Sequence, residues 1–198
     1  MKNILAIVGL VALMAPVAHA DEIMDAMTSP SVIANSIAMD ETVLGFLINW
    51  KVGDGANYNV TMAQLPIPGT MAKSVTKDEN DGTLWFNETI DLVIQKQSVD
   101  VQIDKTTAKI LKELVNGQEQ TVDNTPPTVI SQDYGSVTVP AGTFKAIHIK
   151  AKAQSQGQDV EMEEWANPKD TCMDGSIKTI MTTQGQTITM EMTNFKKN

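Results

Sequence analysis

The sequence predicts a mainly β protein built from antiparallel strands, and three observations carry that prediction. Within Thr83–Gln95, the apolar residues Leu84, Phe86, Ile90, Leu92 and Ile94 share one parity, against Thr83, Asn87, Asp91 and Gln95 on the other. Only a period of two produces that pattern. Val99, Val101 and Ile103 repeat it against Ser98, Asp100 and Gln102. Turn signals then recur along the second half of the chain, at Pro140-Ala141-Gly142-Thr143, Gln156-Gly157-Gln158 and Gln184-Gly185-Gln186, as a meander requires. One buried and one wet face per strand is the antiparallel signature.

The chain begins with a segment that reads as a secretory signal peptide over residues 1–20. Lys2 supplies the positive start, Ile4 to Val17 the apolar stretch, and Ala18-His19-Ala20 the small-x-small cleavage pattern. The uninterrupted run before Pro16 is far shorter than the roughly 20 residues of a membrane span. Asp21 stands where a lipid-anchored protein would need a cysteine. A periplasmic or secreted protein that does not span the membrane after cleavage is expected.

Residues 21–49 form the one stretch with helical character. Ser29 suits an N-cap with Pro30 at the first position, and Val32, Ile33 and Ile37 fall on one face. Val43, Leu44 and Leu47 make a second stripe, weakened by Gly45. Residues 50–198 form the β domain. Its expected strands are Ala56–Met62, Gly69–Lys77, Thr83–Gln95, the segment around Val99–Ile103, Ala108–Val115, Gly135–Val139, Phe144–Ala153, Val160–Ala166, Ser176–Thr183 and Thr187–Phe195. Ala108–Val115 also fits a helical period, but the closing Asn116-Gly117 favours a hairpin. Asp123–Pro127 is linker-like and too short to divide two domains, while Asn167–Gly175 reads as a polar loop.

Composition excludes several functions. Of 198 residues 42% are hydrophobic and 20% charged, an ordinary globular balance. The formal net charge is −9, and all 15 basic residues are lysines. Loss of the leader would take it to −10. Nucleic acid needs a cationic face, and none is visible. After cleavage the sole histidine is His148 and the sole cysteine Cys172, so no structural zinc site can be assembled. No metal or other cofactor is expected.

His148 sits mid-strand beside Lys150 and reads as a surface residue rather than a catalytic one. Cys172 lies between Asp170 and Asp174, which oppose a thiolate, so it reads as a poorly reactive thiol. The acidic run Asp78-Glu79-Asn80-Asp81-Gly82 fails the calcium-loop register, which would place Lys77 first. Glu161 and Glu163 share a strand face with Trp165, which keeps a hydrolase reading open without placing a second acid opposite. Methionine adapts to irregular apolar partners, and Met62, Met162, Met181, Met190 and Met192 all fall in expected strands.

Val137-Thr-Val-Pro-Ala-Gly-Thr-Phe144, Trp165-Ala-Asn-Pro168, Met192-Thr-Asn-Phe195 and the opening Trp50-Lys-Val-Gly-Asp54 with Tyr58 resemble a group of exported bacterial proteins. That group is similar to the periplasmic lipoprotein-carrier (LolA/LolB-like) half-barrels. The resemblance covers about residues 50–198. It implies a single curved antiparallel sheet, a half-barrel or open barrel, with short N-terminal helices covering an apolar concave face. The carriers take up lipid chains on that face. The chain departs from them in having no arginine and no lipid-anchoring cysteine.

The expectation is a non-enzymatic exported protein binding a lipid, lipoprotein or other hydrophobic ligand in an apolar concave groove. The candidate groove residues are Leu92, Ile94, Ile147, Ile149, Met181, Met190 and Met192. Two alternatives stand beside it. One is an envelope protein–protein interaction module with a filled core. The other is a hydrolase using Glu161 and Glu163.

Overall fold

The computed structural model describes residues 50–63, 68–92, 95–122, 127–155, 158–183 and 185–198. The leader, the expected helices of 21–49, most of the 123–127 linker and the candidate Ile94 lie outside the described residues. The described part holds 11 strands in one antiparallel sheet. They are β1 (Gly55–Met62), β2 (Gly69–Asp78), β3 (Thr83–Asp91), β4 (Lys96–Asp104), β5 (Ile110–Val115), β6 (Gln118–Glu119), β7 (Thr128–Val139), β8 (Gly142–Ser155), β9 (Gln158–Ala166), β10 (Ser176–Thr183) and β11 (Gln186–Lys196). Ala108–Val115 thus resolves as strand, from Ile110 onward, closed by Asn116 and Gly117 at positive φ.

The spatial order is β6-β5-β4-β3-β2-β1-β11-β10-β9-β8-β7. Two consecutive meanders are therefore joined where β1 pairs with β11, and β6 and β7 stand at opposite ends of an open sheet. Alternation fixes the register, because slipping by one residue would turn every buried side chain outward. Leu84, Phe86 and Ile90 of β3 face inward with Val99, Val101 and Ile103 of β4, while Thr83, Asn87 and Asp91 face out. β3 stops at Asp91, and the Leu92 N–H bonds the Gln95 carbonyl at 2.9 Å. The expected strand to Gln95 is shorter for that reason.

The sheet curls. Ala141, in the β7–β8 turn, donates its N–H to the Met192 carbonyl of β11 at 3.0 Å. Phe144 meets Phe195 edge-on with ring centroids 6.2 Å apart. These strands are separated by β9 and β10 in the sheet, so only strong curvature brings them together. Inside the curl lies one continuous core that includes Trp50, Leu84, Phe86, Ile177, Met181, Ile188 and Met192. Trp50 packs edge-on against Phe86 at 5.7 Å.

Candidate functional site

The inner face is not uniformly apolar. On β2, Lys73 sits between inward Met71 and Val75; on β3, Glu88 sits between Phe86 and Ile90. Glu113 of β5 and Glu164 of β9 occupy the same inward parity, and all four are buried. Lys73 and Glu88 are direct cross-strand partners. The Lys73 Nζ lies 2.9 Å from Glu88 Oε1 and 2.6 Å from Asp174 Oδ2, an ion-pair triad closed to solvent. Burial alone would push the Lys73 ammonium down, but Asp174 and Glu88 outweigh it and hold its pKa well above the usual value.

Asp174 reaches the triad from the β9–β10 connection, and that connection is not the solvated loop its polar sequence predicts. Thr171 to Ser176 are all buried. Asn167 organises the segment. Its side-chain amide donates to the Lys145 carbonyl at 2.8 Å and to Asp170, and its own carbonyl accepts the Thr171 hydroxyl at 2.6 Å. Gly175 closes it with φ +78, and a Cβ there would meet the backbone of Asn167 and Pro168. A loop held this tightly can bury polar groups because its own backbone is satisfied.

Around the triad, Tyr58 donates its hydroxyl to the Ser176 carbonyl at 3.1 Å, and the Ser176 and Thr179 hydroxyls meet at 3.1 Å. Glu164 is completely enclosed, and neither of its oxygens makes a hydrogen bond of good geometry, although Ser176 stands close enough to favour its charge slightly. Burial first, then the Asp174 charge, raises its pKa to about 8. Burial and the Glu88 charge raise Glu113 to about 7. Burial raises Glu88 as well, partly offset by Lys73. The cluster spans β1, β2, β3, β9 and β10 and ties the two meanders together across the inside of the curl.

Sequence reasoning missed this cluster, although a signal for it was present. In Met71-Lys73-Val75, Phe86-Glu88-Ile90 and Met162-Glu164-Ala166 a charge falls in phase with the apolar residues. An ionisable group on the buried parity of a strand has to be paired or neutralised.

The candidate groove residues are packed rather than open. Leu92, Ile149, Met181 and Met192 are buried at 0–3% exposure, and Ile147 and Met190 pack partly buried against the same core. Cys172 is buried too. Its thiol donates to the Gly55 carbonyl, and burial followed by the Asp174 and Asp54 charges raises its pKa to about 11. Among the described residues no group of three or more His, Cys, Asp or Glu side chains is arranged to hold a metal. The carboxylates of the Asp78–Gly82 turn are instead engaged by the protein, Asp78 by Lys105 at 2.8 Å and Asp81 by Thr83 at 2.7 Å.

The outer face carries a ladder of charges around Trp165. His148 stacks on that indole with centroids 4.2 Å apart, and Lys178 lies over it at 5.9 Å. Asp133 and Glu163 flank His148 at 3.3 and 3.4 Å. Lys150 bonds Glu163, and Lys152 bonds Glu161 at 2.8 Å. The Lys150 bond holds the Glu163 carboxyl below its ordinary range. That is the reverse of what a general acid needs. A hollow of about 250 Å³ lies on this face, lined by Ile130, Lys150, Glu161, Glu163, Ile180 and Thr182.

Among the described residues five large hydrophobics are exposed; Val52 and Leu111 stand singly, and the other three lie together on one end strand of the sheet. β7 begins seven residues before the expected Gly135, and everything from Thr128 to Ser136 is exposed on both faces. Val129, Ile130 and Tyr134 are 52%, 57% and 79% exposed. This earlier start carries no alternation because neither face packs on the core.

No family model matches the chain, and no curated protein matches it. Among solved structures it is similar to a protein predicted to be exported, with a YmcC-like fold, from Bacteroides fragilis NCTC 9343. The two share 10% identity at a TM-score of 0.44, over 75% of this chain and 97% of that one. It is also similar to a predicted lipoprotein from Parabacteroides distasonis ATCC 8503, with 11% identity, a TM-score of 0.44, and coverage of 74% and 96%. Neither is a lipoprotein carrier by name.

Proposed function

We propose that this is a non-enzymatic exported protein that works by holding another polypeptide, its own interior being filled. The observation that carries the reading is the contrast between the two apolar sets. Leu92, Met181 and Met192, candidates for a groove, are closed off, while Val129, Ile130 and Tyr134 stand in solvent. Exposed apolar side chains grouped on one element mark a contact surface more often than chance exposure does. The leader-like residues 1–20 support export. Glu161 and Glu163, the acids a hydrolase would recruit, are each engaged by a lysine, which supports a non-enzymatic role.

Native mass spectrometry of the protein purified without detergent tests this. The expected mass is that of the bare polypeptide, and solvent extraction yields no stoichiometric lipid. A lipid recovered at one per chain overturns the reading in favour of the apolar groove.

A further inference from the structure

β7 is an end strand that no described strand flanks on its far side. Exposed edges are ordinarily blunted by lysine, by proline, by short length or by a covering segment, because a bare edge recruits other chains. β7 has none of the first three defences, and its one irregularity, a bulge between Val129 and Ser131, leaves Ser131–Val139 in unbroken register. It is 12 residues long, contains no lysine or proline, and carries one charge, Asp133. Its stretch from Thr128 to Ser136 is exposed, and among the described residues no segment covers it. β6, at the opposite end, is blunted in the usual way, with only two residues, Gln118 and Glu119, both polar and exposed.

We propose that the free edge of β7 takes an extended strand from a basic partner polypeptide, which extends the sheet and sets a cationic side chain beside Asp133. The proposal rests on the reading that the protein holds a polypeptide, and it names that partner's chemistry. On an antiparallel edge, alternate residues point their N–H and C=O away from the neighbouring strand, so the backbone supplies the affinity. Val129, Ile130 and Tyr134 ask for apolar side chains in the added strand. Asp133 is 67% exposed, in a chain of formal charge −9, and it asks for a cation.

Charge also decides against a second copy of this chain. Two whole β7 strands paired antiparallel would be centred between Asp133 and Tyr134. That register joins two chains of the same negative sign and sets each Asp133 opposite the other copy's Tyr134, so neither carboxylate gains a counter-charge. An anionic membrane surface is repelled for the same reason.

The probe is a twelve-residue peptide of alternating valine and threonine with one central lysine, compared with the same peptide carrying glutamate there. Affinity is read by fluorescence anisotropy at low salt against the whole protein. The lysine peptide is expected to bind at least tenfold more tightly, and Asp133→Lys to invert the order. Tyr134→Lys is expected to weaken the lysine peptide at least tenfold while leaving the thermal midpoint unchanged. Bound peptide should slow amide exchange within 128–136. Equal affinities, no binding of either peptide, or protection confined to another strand overturns the proposal. So does a concentration-dependent dimer that Tyr134→Lys dissolves, which would make a second copy the occupant. If the protein is lipid-free yet the peptides are not discriminated, only the partner's chemistry fails. A stoichiometric lipid removes the broader reading.

Discussion

Lys73 balances a set of acids with no other described cation in the cluster, and its removal has a defined consequence. Lys73→Met leaves Glu88 and Asp174 buried without their counter-charge. Breaking one partner of a buried ion pair costs about 3–5 kcal/mol. The urea midpoint should fall accordingly, and adding Glu88→Leu and Asp174→Asn should restore most of the loss. If Lys73→Met alone is neutral, the triad is not closed to water.

Glu164 sets the pH response. Its folded pKa of about 8 lies above the ordinary carboxyl value of 4.5, so between those values the folded state binds more protons than the unfolded one. Stability therefore falls as pH rises through that window. Glu113, raised to about 7, contributes in the same direction over a narrower range. Glu164→Gln should leave stability near unchanged at pH 5 and raise it by about 2 kcal/mol at pH 8, measured by urea unfolding at both. An equal effect at both pH values would show that Glu164 is already ionised in the fold.

Among the elements, the connection from β9 to β10 does more than link two strands. It delivers Asp174 to Lys73 and Cys172 to Gly55. Gly175 is the position on which its closure depends, because a side chain would strain φ and strike backbone that cannot give way. Gly175→Ala should lower stability by more than about 2 kcal/mol in thermal unfolding. It should also make the Cys172 thiol reactive toward a disulfide reagent in the folded state. Full stability in that variant would contradict the packing of this loop.

The strands themselves were legible in the sequence because alternation and turn chemistry are local signals. The 167–175 connection was not. Asn167, Asp170 and Asp174 look like equivalent solvated loop residues in sequence, yet Asp174 is buried while Asp170 stays exposed, and the loop that buries it is closed by Asn167 hydrogen bonds to groups as distant as Lys145. The first half of β7 was also illegible, since a strand exposed on both faces has no parity to detect. The inward charges of β2, β3 and β9 could have been read, because each interrupts an apolar parity without breaking it. Their convergence could not, as it depends on how far the sheet curls.

Across the whole molecule, one sheet buries its inner face by coiling, with Ala141 anchored on Met192 and Lys73 anchored on Asp174. Four of the expected groove residues, Leu92, Ile149, Met181 and Met192, became core for this reason. Periodicity tells which face is apolar but not whether that face stays open. The mainly β, antiparallel architecture is present as one open sheet, and the burial of these four residues supports the reading that function lies at the sheet's end.

The most direct measurement is hydrogen exchange on the purified protein before and after extraction with organic solvent, followed at the segments bearing Leu92, Met181 and Met192. If the polypeptide itself closes the inner face, exchange in those segments is slow and identical in both preparations. Loss of their protection after extraction would mean that a bound apolar molecule had been part of the core.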